Sequence, residues 1–438
     1  MSKRNKTLLI ILIILLGMLA FFWFTRETPE TLAPGETPST NFWSRFNPFN
    51  QNVPPSGPGT EPPPPGIDPP VYQSEELILR RISSMPIAGF TVYQKERYKE
   101  LPPLTPPSEG GEETPTIPTP PETEFVPALR YVARANGNIW QTFADKIDER
   151  KFTSTLVPQV YEAYFGNRAE AVIMRYIKAD ERTIETFVAP LPKEVLGGDT
   201  TGENTLSGSF LPENITDLSV SPDTLKIFYL FESGENAFGI TADFLGSKKV
   251  QVFDSPATEW LSGWPAAKLI TLATKPAAVA RGYLYALNPD SKSLVNILSG
   301  INGLTALGSP NGKLILYADS SLSLYIYDLE SRSTTALSAR TLPEKCVWDR
   351  GSTFIYCAVP KNALGGAYPD VWYRGEVSSS DDIWKIDAGS GLGTIILEPT
   401  NEPGGEEIDG IKLALDEGEN YLFFVNKKNS YLWEMKLR

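Results

Sequence analysis

One stretch limits the possible folds more than any other: S-P-N-G-K-L-I-L-Y-A-D-S-S-L-S-L-Y-I-Y-D-L, from Ser309 to Leu329. It reads as a polar turn, an apolar strand, a short polar loop and a second strand ending on Asp328. Leu314–Tyr317 is apolar on both faces, so other structure must cover both. Related strands recur along the chain as Leu129–Ala133, Ala171–Met174, Ile227–Leu230, Leu269–Leu272, Phe354–Tyr356 and Tyr421–Phe424. The preceding turns include Ser221-Pro222-Asp223, Asp349-Arg350-Gly351 and Asp416-Glu417-Gly418, residues that tight turns demand. Strands rich in Trp, Tyr and Ile often follow, as at Ile139-Trp140, Leu324–Tyr327, Ile383–Ile386 and Tyr431–Trp433. The spacing, roughly 40 to 45 residues, suits a four-stranded blade. The pattern predicts an all-β chain: a seven-bladed β-propeller of four-stranded antiparallel blades.

The last repeat is one strand short, and the first, starting at Leu129, lacks an innermost strand. One segment supplies both gaps most economically, because closing the ring removes exposed sheet edges. Leu77–Ile82 is suited to complete the last blade and Gly89–Tyr93 to begin the first. The alternative for residues 74–82 is a short amphipathic helix. On the closing reading, the propeller spans 74–438, and the proline-rich run 101–127 is a disordered insertion inside the first blade.

Ahead of the repeats, Lys3, Arg4 and Lys6 precede an apolar run from Thr7 to Phe24. As a helix this run is about 27 Å long, close to the hydrocarbon thickness of a bilayer. A cleaved signal peptide is the rival, but Phe-Trp-Phe-Thr-Arg stands where a small-x-small cleavage pattern would be. The expectation is a single-pass anchor over 7–24, with residues 1–6 in the cytoplasm and the propeller outside it. Residues 25–73 are rich in Pro, Gly, Thr and Ser and form a disordered linker, or stalk. The chain contains 38 prolines in all, too many for one compact domain.

The S-P-D/N-G turn, the apolar strand and the I-W/Y-x-x-D strand resemble the repeats of TolB-like and WD-repeat-like bacterial propellers. Residues 309–329 carry this best, Ser221–Leu230 and Asp382–Asp387 in part. From 76 to 438 the chain also resembles membrane-anchored propeller proteins of bacteria with reduced genomes, notably at Val160–Gly166, V-Y-E-A-Y-F-G. The second repeat lacks the S-P-D-G turn, and the fourth carries Gly263-Trp264-Pro265 instead. The resemblance implies fold, location and a binding role, and it transfers no catalytic residue.

For chemistry the sequence is sparing. It has no histidine, which removes the usual general base and the commonest metal ligand. A net charge of -13 argues against nucleic acid as a partner. Neither a metal nor another cofactor is expected, and no catalytic residue is assigned. Asp381-Asp382 and Glu406-Glu407 are adjacent, so on strands their side chains face opposite ways. Cys346 and Cys357 flank the turn Asp349–Ser352 on two strands of the sixth blade and face one another if the hairpin is centred at Gly351 and Ser352. That suits a disulfide; two small buried thiols are the alternative.

The sixth blade also holds the long insertion Lys361–Ser380, on the end of the propeller where blade-to-blade links lie. Tyr368, Asp370, Trp372, Tyr373 and Arg374 in it are the candidate binding residues, since Trp, Tyr and Arg dominate binding hot spots. The bland reading is that Trp372 and Tyr373 pack the loop down. The expected role is a membrane-anchored, non-catalytic scaffold for an extracytoplasmic protein, peptide or glycan, touching lipid through residues 7–24. The alternative is a cell-envelope glycan hydrolase or lyase using carboxylates and tyrosines from several blades.

Overall fold

Alternation along the second strand of each repeat dictates how the sheets are arranged. In Lys226–Ser233, Ile227 and Tyr229 pack with Ala171 and Ile173 of the preceding sheet. Phe228 and Leu230, on the opposite face, pack with Ile270 and Leu272 of the following sheet. The same division holds all round the ring. Ile315 and Tyr317 face backward while Leu316 and Ala318 face forward. Phe423 and Val425 of the last sheet meet Leu129 and Tyr131 of the first. Strands apolar on both faces are thus sandwiched between neighbours, and the core is a closed circle of inter-sheet clusters.

The computed structural model describes residues 78–99, 121–194, 196, 204–362 and 365–437. The expected cytoplasmic start, membrane helix 7–24 and linker 25–73 lie outside them. Among the described residues no helix is long and apolar enough to cross a membrane. Seven four-stranded antiparallel sheets make up the fold. Blades 1 to 6 run in chain order from the innermost strand outward. Their innermost strands are Ile87–Tyr98, Val160–Gly166, Ile215–Val220, Trp260–Ala266, Thr305–Gly308 and Cys346–Trp348. Blade 7 has Gly410–Leu415, Tyr421–Asn426 and Leu432–Lys436, with Leu79–Arg81 as its outermost strand.

The N-terminal segment therefore closes the ring as a strand, not a helix. Leu79 pairs with Met435, Arg80 with Glu434 and Arg81 with Trp433. The chain then turns directly into the innermost strand of blade 1. There Gly89 lets two inner strands approach closely, since a Cβ at this position would lie 2.0 Å from the Ala163 carbonyl oxygen.

One boundary differs from expectation. The proline-rich insertion does not extend to residue 127, because Thr123–Ala133 is continuous strand, paired through to Thr123–Tyr98. Pro127 sits just past the last rung with the third strand, Ala128–Phe143. The Ala144 N–H still donates to the Pro127 carbonyl at 2.9 Å, and Arg80 donates to the Ala144 carbonyl that a Pro127 N–H would have met, so the strand tolerates the proline and proline content misleads at this position. The two strands form an arm reaching beyond the other blades' hairpins.

Connectivity gives the ring two unlike ends. Blade-to-blade links and the loops between second and third strands share one, the link end. The remaining hairpin turns lie at the other, the turn end. The turn at Ser309 shows why its sequence recurs: the Leu314 N–H donates to Ser309 Oγ at 2.9 Å and the Lys313 N–H to Asn311 Oδ1 at 2.9 Å. Gly312 follows with φ of 69°. Ser221 and Asp223 repeat the arrangement. In blade 6, Cys346 and Cys357 are rung partners with Cα atoms 4.1 Å apart, joined by a disulfide.

Candidate functional site

The insertion in blade 6 lies at the link end and reaches well beyond its own blade. Its four-residue helix, Asp370–Tyr373, follows Tyr368. Tyr368 and Trp372 are buried against Leu322 of blade 5, Leu342, and Ile411 on the innermost strand of blade 7. Asp370 Oδ2 accepts from the Ala278 N–H of blade 4 at 2.6 Å. Lys427 of blade 7 donates to the Trp372 carbonyl at 2.6 Å, with its ammonium 4.3 Å from the indole centroid. Four blades are thus tied together by this segment. Tyr373 is partly exposed and its hydroxyl donates to Glu344, while Arg374 points outward and pairs with Glu376 at 2.6 Å. Of the five candidates, Tyr368 and Trp372 face inward, and Tyr373 and Arg374 keep accessible surface.

Beneath the insertion lies a buried charge network. The Lys345 side chain is 2% exposed; its ammonium is 2.7 Å from Asp381 Oδ2, 2.5 Å from Asp409 Oδ1, and donates to Ser379 Oγ at 2.7 Å. Asp409 also accepts from the Trp372 indole and from Ser378. Burial works to raise the Asp409 carboxyl, but Lys345, Trp372 and Ser378 hold it below its ordinary value. For Asp381 burial wins over Lys345 and its carboxyl is raised. Asp382, facing the other way, pairs with Lys361 at 3.0 Å. Glu406 accepts from Asn426 and Asn429, whereas Glu407 pairs with Lys428. Asp381 and Asp382 thus diverge, as strand geometry requires, and Glu406 and Glu407 take different partners in the loop before blade 7, while Asp381 converges with Asp409, just ahead of the strand Gly410–Leu415.

A recess of about 420 Å³ runs along the innermost strands of blades 4 and 5. Asp217, Trp264, Thr305 and Glu344 line it, with Pro265 and Leu307 as apolar wall. Asp217 Oδ2 accepts from both the N–H and the hydroxyl of Ser262 at 2.6 Å. Burial raises the carboxyls of Asp217 and Glu344.

A larger cleft, about 840 Å³, opens at the turn end between blades 1 and 2 and is walled by the blade 1 arm. Glu194 sits in it: Lys95 and Arg130 lie 2.7 Å from its Oε2, Gln141 donates to Oε1 at 2.8 Å, and Arg150 completes the cradle. Burial alone would raise this carboxyl, yet hydrogen bonds and charge from Lys95, Gln141 and Arg130 bring it down to about 2. Burial lifts the nearby Tyr93 phenol to about 12. Arg168 and Lys193 stand exposed at the rim. Sequence reasoning missed this cleft. Its one visible signal is Tyr93, Lys95 and Arg97 at alternate positions, which puts two cations and an aromatic ring on one strand face.

No family model matches the chain, and no curated protein matches it. Among solved structures it is similar to an oligogalacturonate lyase in complex with manganese, at 8% identity over 71% of this chain and 85% of that one, with a TM-score of 0.49. An oligogalacturonate lyase from Vibrio parahaemolyticus gives 8% identity over 71% and 86%, with a TM-score of 0.46. Likenesses this distant carry no functional argument. The chain's own seven radial sheets make it a seven-bladed β-propeller.

Proposed function

We propose that this chain is a membrane-anchored, non-catalytic binding platform, held outside the cytoplasm, whose turn-end cleft takes an acidic segment of a protein partner. One observation carries the reading. In a chain of net charge -13, the cleft lining holds seven Lys and Arg against the four acids Glu96, Asp148, Glu170 and Glu194, and Arg168 and Lys193 stand exposed at its rim. Such a local reversal of sign steers and orients an oppositely charged partner. Tyr98 on the arm lines the same cleft, and Phe125, 68% exposed, lies on the neighbouring arm strand. Exposed aromatic anchors beside charge are the make-up of interface hot spots. The anchor over 7–24 rests on the apolar run there, and the disulfide accords with an oxidising compartment.

The test is affinity capture from intact cells with the full-length protein, alongside Arg168→Glu with Lys193→Glu. Partners released by moderate salt and lost from the double variant support the reading. Retention of the same partners by the double variant refutes it.

A second reading, a cell-envelope glycan hydrolase or lyase, draws on the recess, where Asp217 and Glu344 come from different blades and Tyr373 bonds Glu344. Release of new saccharide ends from cell-wall polysaccharide, abolished by Glu344→Gln, would favour it.

A further inference from the structure

The basic cleft already holds one acid of the chain itself. Each strand of blade 1 sends a side chain to the Glu194 carboxylate: Lys95 from Ile87–Tyr98, Arg130 from Thr123–Ala133, Gln141 from Ile139–Phe143 and Arg150 from Arg150–Lys151. Arg130 pairs with Gln141, and Gln141 with Arg150, as successive rungs. Rung partners project to the same side, so these three form one row across one face of the sheet. The ladder fixes that row whether or not a carboxylate is present. Glu194 instead belongs to blade 2, four positions past the strand Ile184–Pro190 and outside any strand. The receptor is sheet, and the acid that fills it is loop.

The charges do not balance. Three cations surround one carboxylate. Cations beyond the first cost desolvation and repel one another, so an ion pair serving stability alone would not carry them. Burial lowers the Lys95 ammonium despite Glu194, and Arg150 and Arg130 add to the lowering. Arg130 is buried and also donates to the Ala169 carbonyl. Lys95 and Arg150 keep 20% and 36% of their side-chain surface, and both line the cleft. Among the described residues, Glu194 is the one hydrogen-bond partner of either. An ammonium carries three donors and a guanidinium five, so each has donors to spare.

We infer that Glu194 is an internal competitor: it occupies Lys95 and Arg150, which bind an acidic side chain of the partner once Glu194 is displaced, so the free protein is self-inhibited. This rests on the acidic-partner reading of the cleft. Lys95 and Arg150 then receive the partner's carboxylate, while Arg168 and Lys193 at the rim steer it in. A tethered carboxylate acts at a high effective concentration. A single free carboxylate therefore does not displace Glu194, whereas a run of acids engaging rim and cradle together does.

The experiment uses the full-length protein in detergent and fluorescein-labelled hexaglutamate, followed by anisotropy at low, fixed salt. Glu194→Gln is expected to bind the peptide about tenfold tighter than the parent. Adding Lys95→Gln to it removes the gain. Glu170→Gln, the same change of charge on the cleft lining outside the cradle, shifts binding less than about twofold. Tryptophan emission checks that each variant is folded. Because losing Glu194 also costs stability, a second measurement follows the thermal midpoint of Glu194→Ala in sodium acetate. It rises saturably, while the parent responds to acetate no more than to sodium chloride. The inference is overturned if folded Glu194→Gln binds no tighter than the parent, or if Glu170→Gln gives the same gain. It is equally overturned if the gain survives Lys95→Gln, or if acetate does no more than chloride for Glu194→Ala. The acidic-partner reading fails separately, when Arg168→Glu with Lys193→Glu binds hexaglutamate as well as the parent does.

Discussion

The indole N–H of Trp372, in the blade 6 insertion, donates to both carboxylate oxygens of Asp409, at the entrance to blade 7, each at 3.2 Å. The same carboxylate holds the buried ammonium of Lys345. One aspartate thus fastens the insertion across a blade boundary and neutralises a charge that has no access to water. Replacing Asp409 by Ala leaves Lys345 with Asp381 alone and should cost about 3–5 kcal/mol. Trp372→Phe removes the donor and keeps most of the packing, for about 1 kcal/mol. Denaturant titration measures both, and protease cleavage within 361–380 should rise far more for Asp409→Ala.

Closure of the ring gives a second test. Arg80 and Glu434 are 354 positions apart in sequence yet pair at 3.0 Å. Leu79 is 2% exposed inside the cluster between blades 6 and 7, whereas its neighbour Ile78 is 49% exposed. Leu79→Ala should therefore lose about 2–5 kcal/mol, and Ile78→Ala should stay within about 0.5 kcal/mol. Equal effects in thermal unfolding would mean that the N-terminal strand does not lock the ring.

Glu194 makes stability depend on acid. Its carboxyl lies at about 2 in the folded chain against an ordinary 4.5. A depressed value contributes stability in full above 4.5, and that contribution is lost as pH falls through about 2. At roughly 1.4 kcal/mol per unit the contribution is about 3 kcal/mol at neutral pH. Glu194→Gln should lower stability at pH 7 and flatten its decline between pH 4.5 and 2, as read from urea midpoints across that window. An unchanged slope would show that the cationic cradle does not hold this carboxylate.

The chain has two cysteines, and both are in the disulfide. Unfolded protein should then react with no thiol reagent until it is reduced. A crosslink between residues separated by 11 positions constrains a short loop, and its reduction should cost about 2–3 kcal/mol. Cys346→Ser with Cys357→Ser should show the same loss and no further loss on adding reductant.

The blade repeat, the closing strand and the Cys346–Cys357 pairing were legible before any coordinates, and for one reason. Alternation with period two, turn residues and symmetric placement about a hairpin are local properties, written in neighbouring residues. Even Asp381 and Asp382 could be assigned to opposite faces in this way. The error at Thr123–Pro127 has the same origin: proline content speaks against a strand, but only the folded chain shows Arg80 taking the Ala144 carbonyl that Pro127 leaves without a donor. The candidate sites were hidden because they are not local. Lys95, Arg130 and Glu194 share a cleft, Lys345 bridges Asp381 and Asp409, and Trp264, Thr305 and Glu344 line one recess, in each case because stacking of the blades brings distant segments together. Loop residues such as Glu194 follow no period that could reveal their direction. The sequence by itself determined the sheets and their order around the ring. The tertiary structure alone decided which polar side chains meet between them, since that depends on how one twisted sheet rests on the next.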